Sequence, residues 1–277
     1  MAERPAYPSD LSDARWALIA PRLDAWRQAR TDAGVGGRKP TYDLREIFNA
    51  ILYVNHTGIA WRYLPHDFPP WQTVYGYFTA WTGDGIFTQI NYELTGLARA
   101  KAGRAAQQSA GVIDTQSVKT STNAPLASQG IDAGKKIVGR KRGIVTDTLG
   151  LLLAVIVTAA SASDNTIGID LLDQAKATHP AGQDLGRRRL QEQGHRTRRH
   201  PRHRRRGRHQ GPAHQRVLGV KRLWVVERTL GWIMLHRRLA RDYEALPDNS
   251  ASMIRIAMID NLTKRVTDET TPTWRDI

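Results

Sequence analysis

Gly111-Val-Ile-Asp-Thr-Gln-Ser-Val-Lys119 is the stretch on which the fold turns. Before it, apolar residues recur at helical spacing; from here they come in short runs. Val112 and Ile113 read as the end of a short strand that stops at Asp114. A carboxylate at a strand's end, lifted out of the core, can bind a hard cation. A capping or turn aspartate is the commoner meaning of the same pattern. Downstream, residues 142–146 and 151–158 read as two strands with a turn at Asp147-Thr-Leu-Gly150. Asp164 then caps a helix carrying Ile167, Leu171, Leu172 and Ala175.

Upstream the chain is helical. Residues 9–23 form a short helix capped by Ser9 or Ser12, with Trp16, Ile19 and Leu23 on one side. A Gly-rich basic linker ends in Gly-Arg-Lys-Pro40. Leu44, Ile47, Phe48, Ile51 and Leu52 then mark a helix that Gly58 stops. Pro69 and Pro70 open another, with Val74, Tyr75, Phe78 and Trp81 on a shared face. Two helices around a turn read either as a helix-turn-helix-like unit or as a plain helical bundle.

Toward the C-terminus, residues 224–240 read as one helix and Ile254, Ala257, Met258 and Leu262 mark a last one. Glu227 sits among Val225, Val226 and Leu230. A glutamate held there needs a cation or hydrogen bonds to offset desolvation. It also reads as a surface residue of a first helical turn, favoured by the helix dipole. Arg238 follows Glu227 by about three turns and so returns to the same face, with Arg237 and Arg241 beside it. An acid followed by bases on one face suits phosphate chemistry, or is a solvated basic face.

Length allows one large domain or two smaller ones. With no Cys among 277 residues, disulfides and thiolate metal sites are excluded. No signal pattern opens the chain, and the longest apolar run, residues 149–160, is short of the ~20 residues a membrane span needs. The reading is a soluble, cytoplasmic, nucleoid-associated protein. The formal charge of +15 is mostly local: residues 182–216 hold twelve Arg against Asp184 and Glu192. The modest basic excess elsewhere suits a polyanion partner.

Several segments together resemble the DDE transposases of bacterial insertion sequences, in the IS-four/IS-five group. They are Leu11-Ser-Asp-Ala-Arg-Trp-Ala-Leu-Ile19, Gly37-Arg-Lys-Pro40 with the helix after it, and Gly58-Ile-Ala-Trp-Arg-Tyr-Leu-Pro65. Asp114 with Thr115, Ser117, Val118 and Lys119 comes next, then residues 139–154 and Trp224-Val-Val-Glu-Arg-Thr-Leu-Gly-Trp232. The resemblance spans nearly the whole chain except residues 182–216.

It implies an α/β chain: a ribonuclease-H-like catalytic domain behind a small all-α, helix-turn-helix-like DNA-binding domain. The expected boundaries are 1–84 for the helical DNA-binding domain, 85–106 for a connecting helix and 107–268 for the DDE domain, interrupted by 182–216. It implies catalysis of DNA cleavage and strand transfer by three carboxylates holding two Mg2+ (or Mn2+) ions. Asp114 matches the first acid and metal ligand, and Glu227 the last. Lys119, Arg140, Lys141, Arg142, Arg222, Arg228, Arg237 and Arg238 are the expected DNA contacts. The family favours a basic residue four before the glutamate; here that position is Leu223, beside Arg222. The implied partner is double-stranded DNA, as transposon ends and target, bound by a homo-oligomer assembled on it, with no membrane involved.

The family's second Asp belongs after a strand between the Ile167 helix and Glu227, and no such motif is there. Residues 182–216 carry twelve Arg, five His and too few apolar side chains for a core strand. Residues 182–191 can be encoded GGT CAG GAC CTG GGT CGA CGC CGG CTA CAG. Read one nucleotide later, the same bases give VRTWVDAGY: an apolar strand, an Asp and a Gly-Tyr turn. Allowed codons onward to Arg216 give DIEHGATLGIDVEVVTRDPPTKG, again with an apolar strand and a Pro-bearing turn. A frameshift near codon 181 and a compensating one near codon 218 account for the stretch. The lost Asp codon then straddles Arg187 and Arg188, and Asp184 lies nearby outside any strand pattern. The alternatives are a basic arm that binds nucleic acid and a His-rich metal tract, which irregular spacing and neighbouring Arg disfavour. The functional alternatives are a transposase remnant that binds DNA without catalysis, and a basic nucleic-acid-binding protein unrelated to transposition.

Overall fold

The computed structural model describes residues 4–34, 42–108, 110–178 and 223–269. Four helices come first: α1 (Asp13–Asp32), α2 (Leu44–Thr57), α3 (Trp71–Gly83) and α4 (Ile86–Lys101). Ser12 caps α1 through a bond from Arg15 N. The helix runs past Leu23 because Pro21 does not end it. Asp43 caps α2, and Gly58 ends it in the left-handed conformation at φ 76°. The periodic residues Leu44, Ile47, Phe48, Ile51 and Leu52 are all buried. Residues 58–70 separate α2 from α3. That is far longer than the three or four residues of a helix-turn-helix.

Four strands follow: β1 (Gly111–Lys119), β2 (Gly130–Asp132), β3 (Ile137–Asp147) and β4 (Leu152–Ala159). β1 pairs antiparallel with β3, from Gly111 opposite Asp147 to Lys119 opposite Gly139. The other edge of β3 is shared. β2 takes its first residues, Gly130 opposite Gly139, and β4 takes the rest, from Arg140 opposite Ala159. Asp114 therefore lies in the middle of a nine-residue strand rather than at its end. Thr115 to Lys119 continue the strand because β3 is long enough to pair with all of them.

Helix α5 (Asp164–Thr178) covers one face of the sheet. Its cap is Ser163, whose Oγ accepts from Thr166 N, and not Asp164. Ile167, Leu171 and Ala175 pack there with Val145, Leu153 and Ala154. Gly143 on β3 allows this approach: a Cβ there would lie 2.3 Å from Ile167 Cγ2. The opposite face meets α6 (Leu223–Met234) and α7 (Pro247–Thr267). One continuous core joins Ile144, Leu152 and Val155 of the sheet to Val226 of α6, Ile254 and Met258 of α7, and Phe48, Trp81 and Phe87 of the N-terminal helices. Helical and sheet regions thus share apolar burial, the dominant stabilising term.

The expected single helix over residues 224–240 is two pieces. α6 stops at Met234, His236 takes an extended conformation (φ −93°, ψ 111°), and a 3-10 turn follows at Arg237–Leu239. The break turns Arg238 inward, so it does not share a face with Glu227. Among the described residues no helix is long and apolar enough to cross a membrane.

Candidate active site

Strand alternation decides which way Asp114 faces. Val112 packs into the core shared with α6 and α7, and Ile113 into the α5 layer. Asp114 therefore projects on the α6 side. The turn between β3 and β4 holds α6 in place. Asp147, fully buried, accepts from Leu149 N and Leu151 N through Oδ1, both at 2.8 Å, and pairs with Arg99 through Oδ2. The carbonyls this turn presents are taken by α6: Arg228 Nη2 donates to Leu149 O at 3.0 Å and Thr229 Oγ1 to Gly150 O at 2.8 Å. Gly150 (φ 81°) is needed there, since a Cβ would lie 2.8 Å from Thr229 Oγ1. Val225, Val226, Thr229 and Ile233 are buried and Glu227 is exposed, so the same registration presents Glu227 outward.

The Asp114 carboxyl feels the charges around it. Partial burial raises the Asp114 carboxyl above its ordinary value, and the negative charges of Glu227 and Asp164 add to the rise. A bond from Thr115 N to Asp114 Oδ1 (2.8 Å) and the charge of Lys135 oppose it. Carboxylates offer hard oxygen donors, the kind of ligand a divalent cation takes.

Lys135 is a neighbour that the sequence reading passed over. It lies in the turn between β2 and β3, where Asp132 Oδ1 accepts from Gly134 N and Lys135 N, both at 3.0 Å. Its Nζ reaches Thr115 O at 3.3 Å. The Asp-Ala-Gly sequence at 132–134 is a recognisable turn signal. The reach of the lysine back to β1 is not.

The chain matches the family model for the transposase DDE domain over residues 105–262. It belongs to the DDE transposase family. A second family model, for transposases of the IS4/5 family, matches residues 11–91 of this transposase. No curated protein and no solved structure matches it. The α/β architecture, a helical N-terminal region followed by a mixed sheet-and-helix region, is consistent with a ribonuclease-H-like fold. The family uses divalent metal ions.

The expected DNA contacts fare unequally. Arg140 and Arg142 are 0% and 1% exposed, which removes them from any phosphate. Arg140 Nη1 donates to Glu244 O at 2.7 Å and pairs with Asp242 at 3.3 Å; Arg142 Nη1 donates to Leu239 O at 2.6 Å. Both pin the segment after α6 to β3, because central strand positions are enclosed on both faces. Lys141 is also buried, donating to Ala162 O at 2.9 Å and Asp164 Oδ1 at 3.0 Å. Arg238 is buried against Glu244 at 2.8 Å. Arg228 is half-buried, with Trp224 and Trp232 4.7 and 4.6 Å from its guanidinium. It positions α6. Lys119 and Arg237 are exposed. Arg222 lies outside the described residues, as do Asp184 and residues 182–216.

The outer edge of β1 meets the segment after α6 at one end. Lys119 O accepts from Asp242 N at 2.9 Å, and Ser121 N donates to Asp242 O at 2.7 Å, a parallel bridge at Thr120. Backbone groups of a strand alternate sides, so those of Ile113, Thr115 and Ser117 face the same way as Lys119. Among the described residues no strand pairs with them. Every residue of β3 from Gly139 on is buried, whereas Val112 to Gln116 of β1 are only half-buried.

Proposed function

We propose that this protein is a DNA transposase that binds the terminal inverted repeats of its element and, with an intact site, performs metal-dependent phosphodiester cleavage and strand transfer. The feature that supports the reading is the placement of Asp114 on the face of β1 that packs on α6, the helix that carries Glu227, whose charge is among those raising the Asp114 carboxyl. These two carboxylates are the residues that would hold Mg2+ or Mn2+. When bound, the metal would polarise the scissile phosphate and activate the attacking oxygen. The protein's own part is to fix the helix that carries Glu227 beside β1, through α6 docked on Leu149 O and Gly150 O. Lys119, Arg237 and, beyond the described residues, Arg222 are the cations we assign to DNA phosphates. Residues 1–84 are assigned to DNA binding, 85–106 to the connection and 107–268 to the DDE domain. The DNA-bound state is a homo-oligomer, acting in the cytoplasm on the nucleoid.

A second reading concerns the chain as written: a remnant that binds DNA without cleaving it. Two observations favour it. Beside Asp114 and Glu227 the described residues offer only Asp164, already engaged by Thr115 and Lys141, and among the described residues no strand pairs with the edge of β1 beside Asp114. An open strand edge is a liability that folded proteins normally cover. The one-nucleotide-shifted reading supplies both a strand and an Asp.

The experiment is to sequence the gene across codons 178–224, then express the chain as written and with the frame restored. Nicking of a supercoiled plasmid carrying the element's ends is followed with and without Mg2+. The restored chain should nick, and Asp114→Asn within it should not. Equal nicking by the chain as written would sink the remnant reading. Nicking that survives loss of both Asp114 and Glu227 would sink the assignment of the site.

A further inference from the structure

Where the helical and sheet regions join, three residues far apart in sequence converge. His56 lies in the last turn of α2, His236 at the break after α6 and Asp260 within α7. The two imidazole rings are 4.2 Å apart between centroids and tilted by 39°. Each turns its Nε2 toward one carboxylate oxygen, Asp260 Oδ2, His56 at 3.3 Å and His236 at 3.5 Å. Both separations are longer than the roughly 3.2 Å of a good N–H···O bond, and neither Nε2 has a hydrogen-bond partner among the described residues. The His236 side chain is only 5% exposed, and its Nδ1 is likewise unpartnered among those residues. Buried nitrogens without partners are uncommon enough to need an account.

The spacing fits a transition-metal ion. Two imidazole nitrogens and one carboxylate oxygen lie within 4.8 Å of one another. Zinc binds such atoms at about 2.0–2.1 Å in a tetrahedron, whose corners are then about 3.4 Å apart. Both nitrogen-to-oxygen separations already have that length. The remaining edge, between the two nitrogens, is adjusted by turning His56, whose side chain is 23% exposed and so the freer of the two. Imidazole donors select zinc and its neighbours in the transition series, whereas magnesium takes oxygen. Burial favours the neutral imidazole, which is the form that ligates. As it stands the cluster is an ion-pair network: Arg15 holds Oδ1, and Lys264 Nζ holds Oδ2 at 2.8 Å. Lys264 is thus the cation that a metal ion would replace, and its flexible stem lets it leave without disturbing α7.

We propose that His56, His236 and Asp260 bind one Zn2+ ion, with Lys264 displaced from Asp260 Oδ2 and Arg15 kept on Oδ1. Water entering from the more open His56 side completes the four ligands. Arg15 then serves as the outer partner that orients a ligating carboxylate. The ion staples α2 to α7 and to the turn that ends α6, the three elements that carry its ligands. It differs from the proposed Mg2+ site in donor set, in position and in role, since it would fix a join and touch no reacting group. The inference does not rest on the transposase reading and stands or falls separately from it.

The test uses the full chain stripped of metal, with Zn2+ as the probe and Co2+ as its coloured stand-in. Co2+ should give the visible absorption of a four-coordinate site, and Zn2+, but not Mg2+, should bleach it. Zn2+ at a hundredfold of its dissociation constant should raise the melting temperature by about 5–8 °C. His56→Ala should lose the colour and most of that rise. Lys264→Met removes the competing cation and should bind Zn2+ about tenfold more tightly, the scale on which groups around a metal change its affinity. Melts without metal establish that each variant is folded. If His56→Ala does not fold, the Co2+ absorption and Lys264→Met decide. No Zn2+ effect on either the native chain or Lys264→Met overturns the site. So does a rise that a folded His56→Ala leaves unchanged, which would place the ion elsewhere, as on the five His of residues 182–216.

Discussion

Asp260 on α7 is enclosed by Arg15, by Lys264 at 2.8 Å, and by the imidazoles of His56 and His236 at 3.3 and 3.5 Å, whereas Asp114 on β1 feels the charges of Glu227 and Asp164 and is answered by Thr115 N and the charge of Lys135. Burial pushes both carboxyls up. At Asp260 the imidazoles and Lys264 outweigh it and hold the group well below its ordinary value. At Asp114 nothing does, and the group stays raised. The difference separates two uses of one residue type. A carboxylate surrounded by bases from α1, α2, α7 and the turn after α6 is a pin between regions. A carboxylate among other negative charges, with its own value raised, is what we assign to the proposed metal site.

The geometry around Asp260 also brings two imidazoles and a carboxylate within metal-ligand spacing. Arg15 and Lys264 already occupy both carboxylate oxygens. The cluster therefore reads as an ion-pair network, not as the family's metal centre.

Stability measurements can break this contrast most directly. Asp260→Ala should destabilise the protein by about 3–5 kcal/mol, the usual cost of removing one partner of a buried ion pair. Asp114→Asn should cost less than about 1 kcal/mol or stabilise slightly, because it relieves repulsion. Urea unfolding of both variants measures it; similar losses would erase the distinction. Next in size is Arg142→Met against Arg237→Ala. The first leaves buried carbonyls without a donor, at about 1–3 kcal/mol. The second should stay within about 0.5 kcal/mol in stability while weakening DNA binding in a salt-dependent titration.

Metal should distinguish the two aspartates a third way. With the frame restored, 10 mM Mg2+ acting on a site of about 1 mM affinity stabilises by about 1.4 kcal/mol, read as a shift in melting temperature. Asp114→Asn should abolish the shift, and Asp260→Asn should lower the melting point without abolishing it. A Mg2+ shift that survives Asp114→Asn places the ion elsewhere.

The smallest effect is in pH, and here the two regions have opposite signs. Burial lowers the His236 imidazole, so its contribution is present above the unfolded value of about 6.5 and is lost as pH falls toward the lower folded value. The raised Asp114 does the reverse: its folded form takes up a proton before the unfolded one, so its contribution grows as pH falls through that raised value. Unfolding midpoints across pH 4–7 should therefore flatten in His236→Gln over the upper part of the range. In Asp114→Asn they should drop more steeply over the lower part. Parallel curves for all three proteins would refute both assignments.

Much of the architecture was legible in the residues. Periodicity placed α2, α3 and α7, Gly58 ended α2, and the turn at Asp147–Gly150 separated β3 from β4. The strand carrying Asp114 was legible in type but not in length, since its second half is a strand only because β3 pairs with it. The helix carrying Glu227 was legible at its start, but not the break at His236, whose imidazole lies 3.5 Å from Asp260 on a distant helix.

The sequence by itself determined the element types, the two acids as candidates and the anomaly of residues 182–216, because periodicity, residue chemistry and reading frame are local properties of the chain. Tertiary structure alone decided which cations are available. Arg140, Lys141 and Arg142 look like any basic run in sequence, yet the central position of β3 buries all three. Neighbours on both faces and across two strand edges decide whether a guanidinium reaches solvent, and those neighbours come from β1, β4, α5 and the segment after α6. The pairing of β1 is of the same kind, since a ladder belongs to two strands at once.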